Sequence, residues 1–267
     1  MPETPTLVTI AVELVILFAG CLLLWRHVFS PAARQQPCVL ATWDLKAGDF
    51  LLFIWLVVCG GLLVQVAAVP LLKLAQLEST ANLILAGAAF HAGMLLGYGV
   101  FHRLRKAVAA APSARRPVVT AGFATFVIAL PVITAASFAW QFLLSLLGID
   151  AQPQDLVELF ADAKSVPLLV LMIAVATLLA PITEELVFRA GFFRYCRGRM
   201  PRWAALVLPS VLFAGLHTNL ASFVPLALLG VVFSLAYERT GSIAVPIIAH
   251  ALFNLNTIIL ILSGVGP

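Results

Sequence analysis

The sequence predicts an all-α polytopic membrane protein, a transmembrane bundle of about eight helices that forms a single integral membrane domain over residues 1–267. Hydrophobic residues make up 62% of the chain, and charged residues only 10%. Soluble domains carry about 25% charged residues, so this composition excludes a water-exposed globular surface. It also excludes a disordered chain, which is poor in apolar residues. The relevant unit of length is therefore the membrane span of about 20 apolar residues.

Apolar runs, separated by polar breaks or by breaks that contain Pro or Gly, are the predicted helices. Most of them approach or exceed the length that crosses about 30 Å of hydrocarbon, and the sixth and seventh are short. Pro131 lies inside the fourth run, where a proline removes a backbone hydrogen bond and bends a helix. In chain order the eight runs are Leu7–Trp25, Phe50–Leu72, Ala81–Phe101, Val118–Leu147, Leu168–Phe193, Trp203–Leu216, Ala221–Tyr237 and Ile243–Leu262.

The basic residues predict the orientation of these helices. Of the 16 Lys and Arg, 14 lie in or beside the loops after odd-numbered runs, counting Arg189 near the end of the fifth, and two follow even-numbered runs. Cytoplasmic loops carry such an excess. We therefore expect a plasma (inner) membrane protein with both termini outside and its site open towards the cytoplasm. The loop after the fourth run is acidic, as suits the outer side, with Asp150, Asp155, Glu158 and Asp162 beside Lys164.

Charged side chains inside a span are costly and mark functional sites. Here they cluster in the fifth run, as Glu184, Glu185 and Arg189. Glu185 and Arg189 are four residues apart, in the order that favours an ion pair on one helix face. Glu184 points about 100° away from Glu185, so we expect a structural Glu185–Arg189 pair and a Glu184 free for chemistry. Pro181 should bend the helix one turn earlier and admit water beside Glu184.

Two further polar motifs occur in later runs. His217 ends the sixth run, four residues after Phe213, and His250 and Asn254 share one face of the eighth. A rise of 1.5 Å per residue puts His217, His250 and Asn254 near the depth of Glu184, about 14–22 Å from the cytoplasmic turns. Each of them alone is typical of an interhelical hydrogen bond. Their combination with Glu184 indicates a functional site.

Together these motifs resemble the CPBP family of intramembrane proteases, also called the Abi family, which includes CAAX prenyl endopeptidases of the Rce1 type. The resemblance covers about residues 166–258 and extends to Gly230 and to the segment from Tyr237 to Ser242. It implies an Rce1-like catalytic core in residues 166–258 of the bundle. It also implies hydrolysis of a peptide bond in a membrane-associated peptide or protein, with or without a prenyl group, within or beside the lipid bilayer.

The resemblance assigns catalysis to the carboxylates and polar residues of these motifs. Peptide hydrolysis needs a base that activates water and donors that stabilise the oxyanion. Glu184 with His217 suits the first role, and His250 with Asn254 the second. Alternatively, Glu184, His217 and His250 bind Zn²⁺, as two His and one Glu do in metalloproteases, and the sequence leaves both mechanisms open. The predicted catalytic residues are Glu184, Glu185, His217, His250 and Asn254, with Arg189 and Phe213 in structural support.

The remaining features predict no second site. Single polar residues in other spans, including His91, are interpreted as interhelical hydrogen bonds, and Gly93 with Gly97 as a close helix contact. Arg194, Arg197, Arg199 and Arg202 are expected to anchor the cytoplasmic ends of the helices. No basic patch is interleaved with exposed aromatic residues, so no nucleic-acid partner is expected. Two other function classes stay open: an ion or solute transporter, and a non-catalytic membrane scaffold with the same polar network.

Overall fold

The computed structural model describes residues 7–36, 38–41, 43–105, 117–150, 152, 159–160 and 165–264. Within these ranges all regular secondary structure is helical, which confirms the predicted all-α class. The first helix continues through a π-helical turn, Trp25–Phe29. In these ranges nine helices follow one another: α1 (Leu7–Leu24), α2 (Pro31–Arg34), α3 (Ala47–Leu74), α4 (Ser79–Leu104), α5 (Val118–Leu146), α6 (Val166–Arg197), α7 (Arg202–Gly215), α8 (Phe223–Thr240) and α9 (Ala244–Leu262).

Seven of the described helices are long and apolar enough to cross a membrane, so the protein is a multi-pass integral membrane protein. They are α1 with its π turn, α3, α4, α5, α6, α8 and α9. Helix α7 corresponds to the sixth predicted run, but its 14 residues are too few to cross a bilayer without help from its neighbours. The predicted orientation remains a prediction. Asp155, Glu158, Asp162 and Lys164 of the acidic loop lie outside the described residues.

Small residues bring α3 and α4 into backbone contact. A Cβ added to Gly93 would overlap the backbone of Gly60, and one added to Gly97 would overlap the carbonyl of Leu56. The close contact expected at Gly93 and Gly97 is therefore present. It is the usual way in which membrane helices gain packing area. It also fixes how α4 is rotated about its axis, because Gly93 must face α3.

Helices α3 and α4, from the first half of the chain, pack against α6 and α7. Phe53 of α3 and Phe101 of α4 are fully buried in a cluster with Phe188 of α6 and Phe213 of α7. Gly191 of α6 leaves room for the Phe53 ring, which would lie 2.6 Å from a Cβ at that position. Helices α1, α5, α8 and α9 form a second cluster. The first of these clusters packs apolar side chains of α3, α4 and α7 against α6.

The segment before α3 is held against the ends of α6 and α8. We call residues 38–41 and 43–46 the strap. Arg194 donates to the carbonyl of Ala41 over 2.9 Å, and Arg199 donates to the carbonyl of Trp43 over 3.2 Å. Glu238, at the end of α8, pairs over 2.6 Å with both Arg197 and Arg202. The arginines expected to act as an anchor therefore bind this part of the protein itself.

Candidate active site

Helix α6, which carries both glutamates, is not α-helical throughout. It is π-helical over Val175–Leu179, returns to an α-helix over Ala180–Glu185 and is π-helical again over Leu186–Phe193. Isolated π turns inside α-helices occur frequently at functional sites. Glu184 and Glu185 thus lie in a short α-helical stretch between two wider ones.

Proline explains the first π segment and the position of Asn254. The backbone N–H of Ala180 donates to the carbonyl of Val175, five residues earlier. The next bond of this type would join residue 181 to the carbonyl of Ala176, but Pro181 has no N–H. The Asn254 side-chain amide of α9 donates to that carbonyl over 2.8 Å. Asn254 therefore replaces the hydrogen bond that Pro181 cannot make.

A fully buried ion pair lies at the centre of the site. Arg189 Nη1 donates to Glu185 Oε1 over 2.7 Å, and the two side chains are 1% and 0% exposed. The Glu185–Arg189 pair expected from the spacing is therefore present. The same carboxylate oxygen is 2.8 Å from His250 Nδ1. Because that oxygen belongs to a paired carboxylate, His250 Nδ1 must be protonated and must donate to it.

Glu184 is the accessible member of the two glutamates. Its side chain is 18% exposed, and its Oε2 lies 3.7 Å from His250 Nε2. This distance is too long for a direct hydrogen bond but leaves both atoms able to bind one water molecule. The structure thus brings Glu184, Glu185, Arg189 and His250 together around the two nitrogens of one imidazole ring.

Two phenylalanines enclose the buried charges. The Arg189 guanidinium lies 4.6 Å from the ring centre of Phe213 and 5.5 Å from that of Phe233. The His250 ring centre is 6.0 Å from that of Phe213 and 5.4 Å from that of Phe233. Cation–π contacts of this kind stabilise a guanidinium where water is excluded. Sequence reasoning identified Phe213 but missed Phe233, because nothing in an apolar helix distinguishes one phenylalanine from the others.

His217 lies beside this group rather than within it. Its Nδ1 is 2.8 Å from the carbonyl of Phe213, and its ring centre is 4.8 Å from that of Phe213. Phe213 thus touches both His217 and His250. Among the described residues, no three His, Cys, Asp or Glu side chains lie close enough together to hold a metal ion. The zinc set of Glu184, His217 and His250 therefore stays a prediction.

The comparisons with known proteins concern the four helices that carry the site, α6 to α9. Residues 166–256 match the family model described as type II CAAX prenyl endopeptidase Rce1-like. The match covers about a third of the chain, and this segment is similar to the Rce1-like family. It contains α6, α7, α8 and the part of α9 that carries His250 and Asn254, and so holds every residue predicted for the site. The resemblance seen in the motifs is thereby confirmed.

Two relatives of the chain carry names that agree with this family, and a third is uncharacterised. A Bacillus subtilis protein, named as a putative membrane peptidase, YdiL, is 30% identical over 44% of this chain and 47% of its own length. The membrane-embedded CAAX protease MroQ of Staphylococcus aureus is 33% identical over 36% of this chain and 40% of its own length. An uncharacterised 24.3 kDa protein of Escherichia coli is 33% identical over 39% of this chain and 49% of its own length. The chain thus spans about half the length, or less, of these relatives, and no solved structure matches it.

Proposed function

We propose that this protein is an intramembrane endopeptidase that hydrolyses a peptide bond of a membrane-associated peptide or protein. The observation that carries the proposal is the position of Glu184, a partly exposed carboxylate 3.7 Å from a histidine nitrogen whose ring is held by a buried carboxylate. Glu185 thus fixes the His250 ring beside Glu184, and the Glu184 carboxylate remains free to act as a base. The Rce1-like domain and the relatives named as membrane peptidases support the same class of reaction.

The charges of the site favour one proton shared between Glu184 and His250. The site holds two carboxylates and one guanidinium, which sum to one negative charge: Glu184, Glu185 and Arg189. The side chains of Glu185 and Arg189 are almost completely screened from solvent. An unbalanced buried charge is costly. One proton on the Glu184–His250 pair makes the group neutral; placed on His250 Nε2, it leaves the Glu184 carboxylate able to accept a proton from water.

In the proposed reaction Glu184 accepts a proton from a water molecule, whose oxygen attacks the carbonyl carbon of the scissile bond. The carbonyl π electrons move onto its oxygen, which becomes an oxyanion. When the tetrahedral intermediate collapses, the carbon–nitrogen bond breaks and the proton held by Glu184 passes to the leaving nitrogen. The products are a carboxylic acid and an amine, and Glu184 returns to its starting state.

The oxyanion needs donors, and His250 and Asn254 are the proposed ones. His250 Nδ1 already donates to Glu185, so only a doubly protonated ring presents an N–H at Nε2 to the substrate. Asn254 uses one amide hydrogen on Ala176 and retains the second. A preorganised donor of this kind is worth about 10²–10³ in kcat. His217, on the other side of Phe213, is proposed to bind the same water through its Nε2.

Reconstitution of the full chain in liposomes tests the proposal. Peptides ending in prenylated and unprenylated CAAX-type tails, and bacteriocin-like peptides, are offered to wild type, Glu184→Gln and His250→Ala. Glu78→Gln, at an exposed position before α4, is the matched carboxylate control. We expect cleavage by wild type and the control and a loss of at least about a hundredfold in the other two. Cleavage that persists in both would refute the mechanism, and ion flux without cleavage would favour a transporter.

The same liposomes separate the two mechanistic alternatives. A strong zinc chelator is added to active protein, followed by added Zn²⁺. Loss of activity that Zn²⁺ restores would assign the metal-dependent mechanism to Glu184, His217 and His250. Undiminished activity would assign the mechanism in which Glu184 activates the water molecule without a metal.

A further inference from the structure

The turn between α7 and α8, residues 216–222, carries His217 and contains a strained residue. Helix α7 ends at Gly215, and the backbone N–H of His217 donates to the carbonyl of Ala214 over 3.2 Å. The next residue, Thr218, has a φ of +49°, a left-handed conformation that a β-branched residue rarely adopts. Such a conformation persists where the surrounding structure enforces it, and it is most frequent at functional sites. We therefore looked for contacts that hold this turn from outside.

Two hydrogen bonds from other parts of the chain hold the turn. The Trp140 indole, near the end of α5, donates to the carbonyl of Leu220 over 2.7 Å. The Asn219 side-chain amide donates to the carbonyl of Gln152 over 3.1 Å. Leu220 is only three residues after His217 in the chain. The turn is thus attached to α5 and to the segment that follows α5.

Helix α5 also supports the other histidine of the site. Apolar side chains of α5 form one cluster with Phe233 of α8, and the Phe233 ring centre lies 5.4 Å from that of His250. Trp140 lies further along the same helix and bonds to the turn that carries His217. One helix therefore contacts the surroundings of both histidines. Its residues 118–146 lie outside the segment that matches the family.

We propose that Trp140 is a positioning residue of the active site, which fixes the turn and so keeps the His217 ring against Phe213. The inference rests on the proposed endopeptidase function and assigns part of the site to α5. His217 Nδ1 lies 2.8 Å from the Phe213 carbonyl and must be protonated, because a carbonyl only accepts. In a neutral ring Nε2 is then an acceptor, and its direction depends on the turn. Without the Trp140 bond, Thr218 can relax from its strained φ and move the ring.

Two variants of Trp140 separate its hydrogen bond from its packing. Trp140→Phe keeps an aromatic ring without an N–H, whereas Trp140→His places its Nε2 at the ring position of the indole nitrogen. Trp55→Phe is the matched control, since Trp55 is 61% exposed on α3. In the liposome assay we expect Trp140→Phe to lower kcat by about tenfold with little change in KM, because a small displacement of a reacting group reduces rate. Trp140→His should recover most of this loss, and Trp55→Phe should stay within about twofold of wild type.

The outcomes distinguish the inference from the function on which it rests. Cleavage lost in Glu184→Gln but unchanged in Trp140→Phe would overturn the role of Trp140 alone. So would an equal loss in Trp140→Phe and Trp55→Phe, or a failure of Trp140→His to recover activity. Cleavage that persists in Glu184→Gln would instead overturn the proposed function.

A second measurement does not depend on turnover. The ring nitrogen chemical shifts of His217 are recorded by NMR on isotope-labelled protein in detergent, and the signals are assigned by their absence in His217→Ala. In wild type and in Trp55→Phe we expect one neutral tautomer with its proton on Nδ1, the nitrogen that faces the Phe213 carbonyl. In Trp140→Phe the two tautomers should average. Unchanged shifts in Trp140→Phe, or averaged tautomers already in wild type, would overturn the inference.

Discussion

Replacing Asn254 by leucine should destabilise the protein only while residue 181 is a proline. The Asn254 amide bonds to the carbonyl of Ala176, which has no N–H available from Pro181. Leucine has a similar volume but cannot donate, so the carbonyl is left without a partner. In Pro181→Ala the backbone N–H of residue 181 can bind that carbonyl instead. The leucine substitution should then cost little.

The expected magnitude follows from one hydrogen bond inside a membrane protein. Interhelical bonds of this kind contribute about 0.6 kcal/mol on average and at most about 1.7. A buried carbonyl left unpaired costs about 1–3 kcal/mol. We therefore expect Asn254→Leu to lower the free energy of unfolding by about 1–2 kcal/mol with Pro181 in place. In the Pro181→Ala background the cost should be a few tenths of a kcal/mol, which gives a coupling of about 1 kcal/mol.

Denaturant unfolding in detergent, monitored by circular dichroism, measures all four members of this cycle. An equal cost of Asn254→Leu in the two backgrounds would refute the explanation of the π segment. Cleavage assays on the same four proteins then isolate the proposed oxyanion role. If the second amide hydrogen of Asn254 stabilises the oxyanion, activity should fall in both backgrounds, even where stability is restored.

Three further predictions concern the buried charges and the helix contacts. Glu185→Gln or Arg189→Met alone should cost about 3–5 kcal/mol in denaturant unfolding, because each leaves an unpaired buried charge, and the double variant should cost less than their sum. Arg199→Met should weaken the attachment of the strap, because it removes the donor to the carbonyl of Trp43, and should increase cleavage of the strap in limited proteolysis; unchanged digestion would contradict this role. Gly93→Val should force α4 away from Gly60 and cost about 1–3 kcal/mol, read from the unfolding midpoint, whereas Gly99→Val, with open space around it, should cost far less.

The sequence predicts the helices well because a bilayer leaves few alternatives. Each apolar run becomes a helix whose ends lie within a few residues of the predicted ones. The Glu185–Arg189 pair was equally predictable, since spacing along one helix determines it. Helix α7 is the instructive exception. Its apolar run was predicted, but the run alone does not show how a helix of 14 residues, which is too short to cross the bilayer by itself, is accommodated among its neighbours.

The arrangement of the site around α6 could not be read from spacing. A period of 3.6 residues describes Ala180–Glu185 but not the π segments on either side of it. Pro181 gave a signal that the helix is interrupted, but spacing did not show that Asn254 would bind the carbonyl of Ala176.

The π segment before Pro181 has a consequence for the identity of the general base. Glu184 and Glu185 are neighbours with the same chemistry, and only their direction separates the accessible carboxylate from the buried one. A π turn spans one residue more than an α turn. Deleting a single residue from Val175–Leu179 would turn everything that follows by about 100°, enough to move Glu185 into the direction that Glu184 now has. One extra residue in a helix thus decides which of two identical side chains meets water and which becomes a permanent counter-ion.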